Sequence, residues 1–162
     1  MREARTDRYA VHVWWVQFTM GHVMLAYTTA SMLEDLSEWP PIDEIPGARV
    51  LEGEPRHFGR LDIGDFDSDF MLGVWECTEG TFEWTEVGFE LQTLVAGRLR
   101  ITGKDGTVHD LAAGDTYFTR KGDCMTWEVI EKVKKVFFSF NSEGAFTAAF
   151  GRLTSGDRVL RV

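Results

Sequence analysis

Short apolar segments separated by turn signals are the feature that most constrains this chain, and they recur from residue 48 onward. The turns place glycine beside charged residues, as in Lys104-Asp105-Gly106, which is typical of hairpins because glycine tolerates positive φ. Apolar and polar residues alternate within segments such as residues 98–102, as expected of strands. This spacing predicts an all-β sandwich or barrel. The predicted strands cover residues 71–77, 81–86, 89–96, 98–102, 107–111, 116–119, 125–130 and 133–140.

The length of 162 residues is typical of one domain that can bury a core without disulfide staples. Composition divides the chain into four parts. Residues 1–31 form an N-terminal extension whose place in the native protein is open. Residues 32–47 form an acidic arm with three of the four prolines, residues 48–142 the β domain, and residues 143–162 a tail with an expected short helix and strand.

The extension contains an uncharged run over residues 9–30. Its length is close to that of a membrane span, yet its histidines, glutamine and threonines suit a membrane helix poorly. Three interpretations stay open: a membrane anchor, an added strand or helix that packs on the domain, and a true start at Met20, Met24 or Met32. We favour a loosely attached extension or a later start, and we expect no membrane partner.

Charge and cysteine content exclude several classes of function. The net charge of −9 and the lack of any block of lysines or arginines argue against nucleic-acid binding. Cys77 and Cys124 show no C-x-x-C spacing, so we expect free thiols and a reducing, cytoplasmic location. No phosphate-binding glycine loop or dinucleotide fingerprint occurs in the sequence.

An ordered set of residues over positions 50–140 resembles small cupins, and most closely the cupin-domain branch named for ureidoglycine aminohydrolase. The resemblance implies an antiparallel jelly-roll barrel with a small-molecule site inside it. We also expect a homodimer formed through the sheet edges. The residues that carry the resemblance are Gly73-Val74-Trp75-Glu76-Cys77, Gly80, Phe82, Glu90, Gly97, Gly114-Asp115, Thr126-Trp127-Glu128-Val129, Glu131, Val133 and Lys135.

The metal-binding signature of cupins is altered here. Glu90 and Gly97 fit its final part, E-x6-G, but Trp84 and Glu86 stand where the signature has its two histidines. None of the four histidines falls at a signature position. Because transition metals prefer imidazole ligands, we expect no cofactor. The alternative is a divalent metal such as manganese, held through oxygen by Glu90, Gln92 and Glu86.

Strand alternation predicts which side chains line the barrel. If Glu90 points inward, so do Gln92 and Leu94, and Met125 shares a face with Trp127. The predicted cavity is apolar and aromatic with a few convergent polar groups, which is typical of a small-molecule site. We assign Glu90 and Glu86 as catalytic candidates. The ligand-binding candidates are Trp84, Gln92, Met125, Trp127 and Trp75, with Phe138 as a further option for the wall.

Three roles for the two carboxylates stay open. Their repulsion should raise at least one pKa, which suits metal-independent acid/base chemistry. They could instead capture a cationic amine between tryptophan faces, or Glu90 could pair structurally with Arg98, Arg100 or Lys135. The favoured function is binding of a small polar molecule, with nitrogen-containing compounds as candidates. The alternatives are a metal-dependent, aminohydrolase-like enzyme for a ureide-type substrate and a non-catalytic or regulatory cupin.

Overall fold

The computed structural model of the chain describes residues 25–28, 35–66 and 68–140. It contains nine β-strands and one 3₁₀ helix, Ile42–Glu44, in these residues. All strand pairs are antiparallel, so the predicted all-β jelly roll is confirmed. The strands are β1 Ser37–Glu38, β2 Ala48–Glu52, β3 His57–Ile63, β4 Phe70–Cys77, β5 Gly80–Thr85, β6 Phe89–Gly103, β7 Val108–Ala112, β8 Thr116–Thr119 and β9 Cys124–Phe140.

Two long strands, β6 and β9, take part in both layers of the barrel. Their first and last halves were predicted as separate strands, but each is continuous in the structure. They pair with each other along their length. The second half of β9 also pairs with β4, and its first half with β5. The two strands therefore connect one layer, β1-β3-β4-β9-β6-β8, to the other, β2-β5-β9-β6-β7.

Gly97 marks the place where β6 bends between the layers. The pairing of β6 with β9 shifts register between Leu94 and Leu99, which is the signature of β-bulges. Gly97 has a φ of +81°, and a Cβ built there would lie 2.1 Å from the carbonyl oxygen of Lys132. Only glycine fits this conformation and this close approach. The bend reverses the alternation, so that even-numbered residues face inward before it and odd-numbered residues after it.

The core lies between the layers and is rich in aromatic side chains. Trp127 stacks on Phe82 with ring centroids 6.1 Å apart and meets the edge of Trp75 at 6.3 Å. His57 is fully buried: its Nε2 donates to the carbonyl oxygen of Pro40 at 2.5 Å, and its Nδ1 accepts from Trp75 Nε1 at 3.0 Å. This histidine is thus structural, and it anchors the arm to the barrel.

The outer face of the β4-β9-β6-β8 layer carries an apolar row. Phe118, Leu91 and Phe138 lie directly opposite one another on three neighbouring strands, and each is exposed. Phe138 therefore points outward, and its prediction as a cavity residue is wrong. A row of neighbouring exposed apolar side chains is a candidate contact surface.

Most of the predicted extension and the whole predicted tail, residues 143–162, lie outside the described residues. Of the extension, residues 25–28 are described. Within the described part of the chain, no helix is both long enough and apolar enough to cross a membrane. The arm that was expected over residues 32–47 contributes β1 and the 3₁₀ helix.

Candidate functional site

A cavity of about 300 Å³ opens between the two layers under the arm. This volume is at the lower end of the range for small-molecule sites. Its walls are almost entirely apolar, and Glu90 and Lys135 are the two charged residues that line it. The lining residues are Trp39, Pro40, Ile45, Phe66, Met71, Trp75, Phe82, Trp84, Val87, Glu90, Trp127, Lys135 and Phe137.

Strand alternation explains how these side chains converge. On β9, the odd-numbered residues Trp127, Lys135 and Phe137 line the cavity, as expected of alternate positions on one strand face. Trp75 on β4 lies directly opposite Lys135. Trp39 and its neighbours in the arm close the cavity from above. Trp39 packs edge-on against Phe66 with centroids 5.3 Å apart.

Lys135 is the central polar residue of the cavity. Its side chain is 6% exposed, and its ammonium donates to Gln92 Oε1. The Nζ atom also lies 4.5 Å from the ring centroid of Trp75 and 4.7 Å from that of Trp127. Burial lowers the pKa of Lys135 below its usual value, and the charges of Glu90 and Glu86 offset this only in part. The aromatic faces that were expected to receive a cationic ligand therefore already hold a cation of the chain itself.

Gln92 lies behind Lys135 and is fully buried. Its Oε1 also accepts from the Tyr117 hydroxyl at 3.0 Å, and its Nε2 donates to Thr119 Oγ1 at 2.9 Å. All three contacts fix the orientation of the amide. Gln92 was predicted to bind ligand directly, but it is absent from the cavity lining, and its contacts position the Lys135 ammonium.

Glu86 is a buried carboxyl group, 3% exposed, at the end of β5. Its Oε1 has no hydrogen-bond partner among the described residues. Burial, followed by the negative charge of Glu90, raises the pKa of Glu86 to about 7; Lys135, Thr119 and Trp84 lower it by less. The predicted repulsion between the two carboxylates is therefore present in the structure. Glu86 itself does not line the cavity.

The predicted site residues thus separate into three groups. Glu90, Trp75, Trp84 and Trp127 line the cavity together. Glu86 and Gln92 lie behind it in contact with its polar end. Met125 lines a second, more polar cavity of about 710 Å³ beside β7 and β8.

Several cavity residues were missed by the sequence prediction. Lys135 was considered only as a structural partner of Glu90, although its alternation with Trp127 on β9 places it inward. The same alternation places Phe137 inward, whereas the sequence prediction named its neighbour Phe138. Trp39 and Phe66 come from irregular segments, where alternation predicts nothing.

The residues predicted as an alternative manganese site do not fit a divalent cation. The negative charge of Glu90 acts on Glu86, and both charges act on Lys135, which donates to Gln92. However, the Gln92 oxygen already accepts from the Lys135 ammonium and the Tyr117 hydroxyl. A second cation there would lie against an ammonium group. The described residues also contain no cluster of three histidine, cysteine, aspartate or glutamate side chains suited to a metal.

Neither described cysteine strengthens the site. Cys77 is fully buried in the core, and burial raises the pKa of its thiol to about 12. Because the thiolate is the reactive form, this residue is inert near neutral pH. Cys124 is half-buried and lines the second cavity. Both are free thiols, as predicted.

An antiparallel jelly roll that encloses a cavity between its two layers defines the cupin class. Residues 64–137 match the family model of the EutQ-like cupin domain, so this part of the chain is similar to that domain. No curated protein matches the chain.

Solved structures show the same fold at low sequence identity. A protein of unknown function from Pseudomonas syringae pv. tomato matches with a TM-score of 0.58 and 24% identity, over 67% of this chain and 45% of that one. The polyketide cyclase RemF from Streptomyces resistomycificus matches with a TM-score of 0.50 and 16% identity, over 74% and 81%. The EutQ protein of Clostridium difficile matches with a TM-score of 0.48 and 21% identity, over 55% and 71%. The first two similarities establish the fold and no shared activity.

Proposed function

We propose that the protein binds a small, largely apolar and planar molecule that carries one neutral hydrogen-bonding group, such as an amide or a hydroxyl. The observation that carries this proposal is the make-up of the cavity: aromatic walls with Glu90 and Lys135 as its charged lining residues. The sequence favoured a polar ligand, but the apolar lining of the cavity suits a ligand that is mostly apolar and has one polar group.

The two charged residues define the polar end of the ligand. Glu90 accepts hydrogen bonds and Lys135 donates them. A group that does both, such as a primary amide, can donate to the carboxylate and accept from the ammonium. A cationic amine would meet Lys135 with a like charge, and the aromatic faces that suit a cation are already covered by that lysine. The proposal therefore keeps nitrogen-containing ligands, provided that they are neutral.

A set of naphthalene probes tests this function. 2-Naphthamide, naphthalene and 2-naphthylmethylamine share one apolar body and differ in the polar group. Titrations followed by tryptophan fluorescence should show that the amide binds more tightly than naphthalene and that the protonated amine binds most weakly. Tightest binding of the amine, or no binding of any probe, would refute the proposal.

Glu90→Gln identifies the acceptor. Loss of the charged acceptor should raise the dissociation constant of 2-naphthamide about tenfold, because a hydrogen bond to a charged group contributes about 1.5–3 kcal/mol. Naphthalene, which makes no such bond, should bind as before. Glu83→Gln is the matched control, since Glu83 lies on β5 beside the cavity residue Trp84 but bonds to Arg49 at the surface. Equal weakening by both variants would remove Glu90 from the site.

A second candidate function is metal-independent acid/base catalysis by Glu90 with Glu86. The favouring observation is that burial and the negative charge of Glu90, which lines the cavity, raise the pKa of Glu86 to about 7. Incubation with neutral amides and ureides, with ammonia release as the readout, tests it. Turnover that Glu90→Gln abolishes while probe binding persists would support an enzyme. Binding without turnover would leave a non-catalytic or regulatory cupin. The metal-dependent ureide hydrolase rests on the sequence resemblance alone.

A further inference from the structure

Lys135 occupies an unusual position for a lysine. It is enclosed at the centre of the barrel, and its ammonium contacts one amide oxygen and the faces of two indoles. Its neighbour Lys134 is also buried but points to the other side of β9, where it pairs with Glu76 at 2.9 Å. A fully buried lysine is rare unless its charge is balanced. The charges that act on Lys135 most strongly are those of Glu90 and Glu86.

The groups around Lys135 are the same ones that the sequence offers as oxygen ligands for a metal. Gln92 supplies its amide oxygen directly, while Glu90 and Glu86 supply negative charge. Tyr117 holds the amide in place from behind. A divalent cation that used the Gln92 oxygen would meet the ammonium that this oxygen already binds. The lysine and a metal ion are therefore mutually exclusive occupants of one position.

We propose that the Lys135 ammonium is the resident cation of this barrel and takes the place of a metal ion. It balances the two carboxylates, orients Gln92 and fills the space between Trp75 and Trp127. Replacing the lysine with an uncharged residue should then leave an oxygen-lined, negatively charged site that accepts a hard divalent cation. This inference does not rest on the proposed ligand, because it concerns the charge balance of the barrel itself.

The test uses Mn²⁺ alone with the full-length protein. Lys135→Met keeps the length of the side chain and removes the charge, and Lys132→Met on the same strand is the control, since Lys132 is largely exposed. We expect the melting temperature of Lys135→Met to rise by about 4 °C once free Mn²⁺ exceeds its dissociation constant about tenfold. The wild type and Lys132→Met should show no rise. Stoichiometric uptake of Mn²⁺ by the wild type, or none by Lys135→Met, overturns the inference.

A double variant keeps the inference testable if Lys135→Met folds poorly. Lys135→Met/Glu90→Gln removes one of the two carboxylates that the lysine balances, and glutamine has nearly the same shape as glutamate. We expect this double variant to be more stable than Lys135→Met in urea denaturation without metal. A double variant that is no more stable than the single one would show that Lys135 does not balance Glu90, which overturns the inference. Because no organic ligand is present, the result is independent of the proposed function.

Discussion

Replacing Glu86 with glutamine should change how the stability of the protein depends on pH. The pKa of Glu86 is raised from 4.5 to about 7 in the folded state, mainly by burial and then by the charge of Glu90. Between these two values the folded protein holds a proton that the unfolded chain has lost. The stabilisation by this proton is fully present below about pH 4.5 and is lost as the pH rises through about 7.

The size of the effect follows from the shift. A rise from 4.5 to about 7 corresponds to about 3 kcal/mol, since one pKa unit is worth about 1.4 kcal/mol. The amide of the substituted side chain would mimic the protonated acid at every pH. We therefore expect Glu86→Gln to match the wild type at about pH 4 and to exceed it by about 3 kcal/mol at about pH 8.5, which is about 8 °C in melting temperature.

Urea denaturation followed by tryptophan fluorescence at both pH values measures this difference. Glu52→Gln is the control, since Glu52 is exposed on β2 and should leave the pH dependence unchanged. If Glu86→Gln differs from the wild type by the same amount at both pH values, Glu86 does not carry the raised pKa. If the variant is the less stable protein at about pH 8.5, the ionised Glu86 is stabilised in the folded state, which contradicts its raised pKa.

Three further predictions follow from the same structure. Gln92→Leu should lower the free energy of unfolding in urea by about 3 kcal/mol, because it leaves the buried Lys135 ammonium without its oxygen acceptor. Gln92→Glu, which keeps an oxygen there, should lower it by less. Equal losses of stability in the two variants would contradict the role of Gln92 as the acceptor. Gly97→Ala should cost about 3 kcal/mol or more, because its Cβ would meet the Lys132 carbonyl. Gly106→Ala, at the nearly equal φ of +82° but with no described atom within 4 Å, should cost only about 1 kcal/mol, and similar melting temperatures for the two variants would contradict the steric argument. For the homodimer expected from the sequence, we propose that the outer apolar row forms the contact. Leu91→Lys should then give a monomer in sedimentation experiments, whereas Val108→Lys, at a similarly exposed position on β7, should stay dimeric. A monomeric wild type or a dimeric Leu91→Lys would contradict this contact.

The fold was predictable because its signals are local. Glycine at the turns and alternation within the strands are visible in short windows of sequence. The bend at Gly97 was not predicted, since a break in alternation reads equally well as the end of one strand and the start of another. The structure shows that β6 continues through it. The pairing partners of β6 and β9 depend on the three-dimensional closure of the barrel and leave no local signal.

The site was predictable in part. Alternation along β9 placed Trp127 inward, and the position of Trp84 in the cupin signature placed it at the same cavity as Glu90, where the structure has both. Extending the same alternation along β9 would have placed Lys135 inside, but a charged residue is normally assigned to the surface. The arm residue Trp39 could not be found in this way, because its position depends on the contacts that close the barrel. The role of Gln92 required side-chain geometry that no pattern contains.

The most direct test of the account is a crystal structure of the protein with 2-naphthamide. We expect the ring between Trp39, Trp84 and Phe137, with the amide nitrogen at Glu90 and the amide oxygen at the Lys135 ammonium. A ring bound in the second cavity beside Met125, a metal ion in the position of the Lys135 ammonium, or a cavity that stays empty at saturating probe would contradict it.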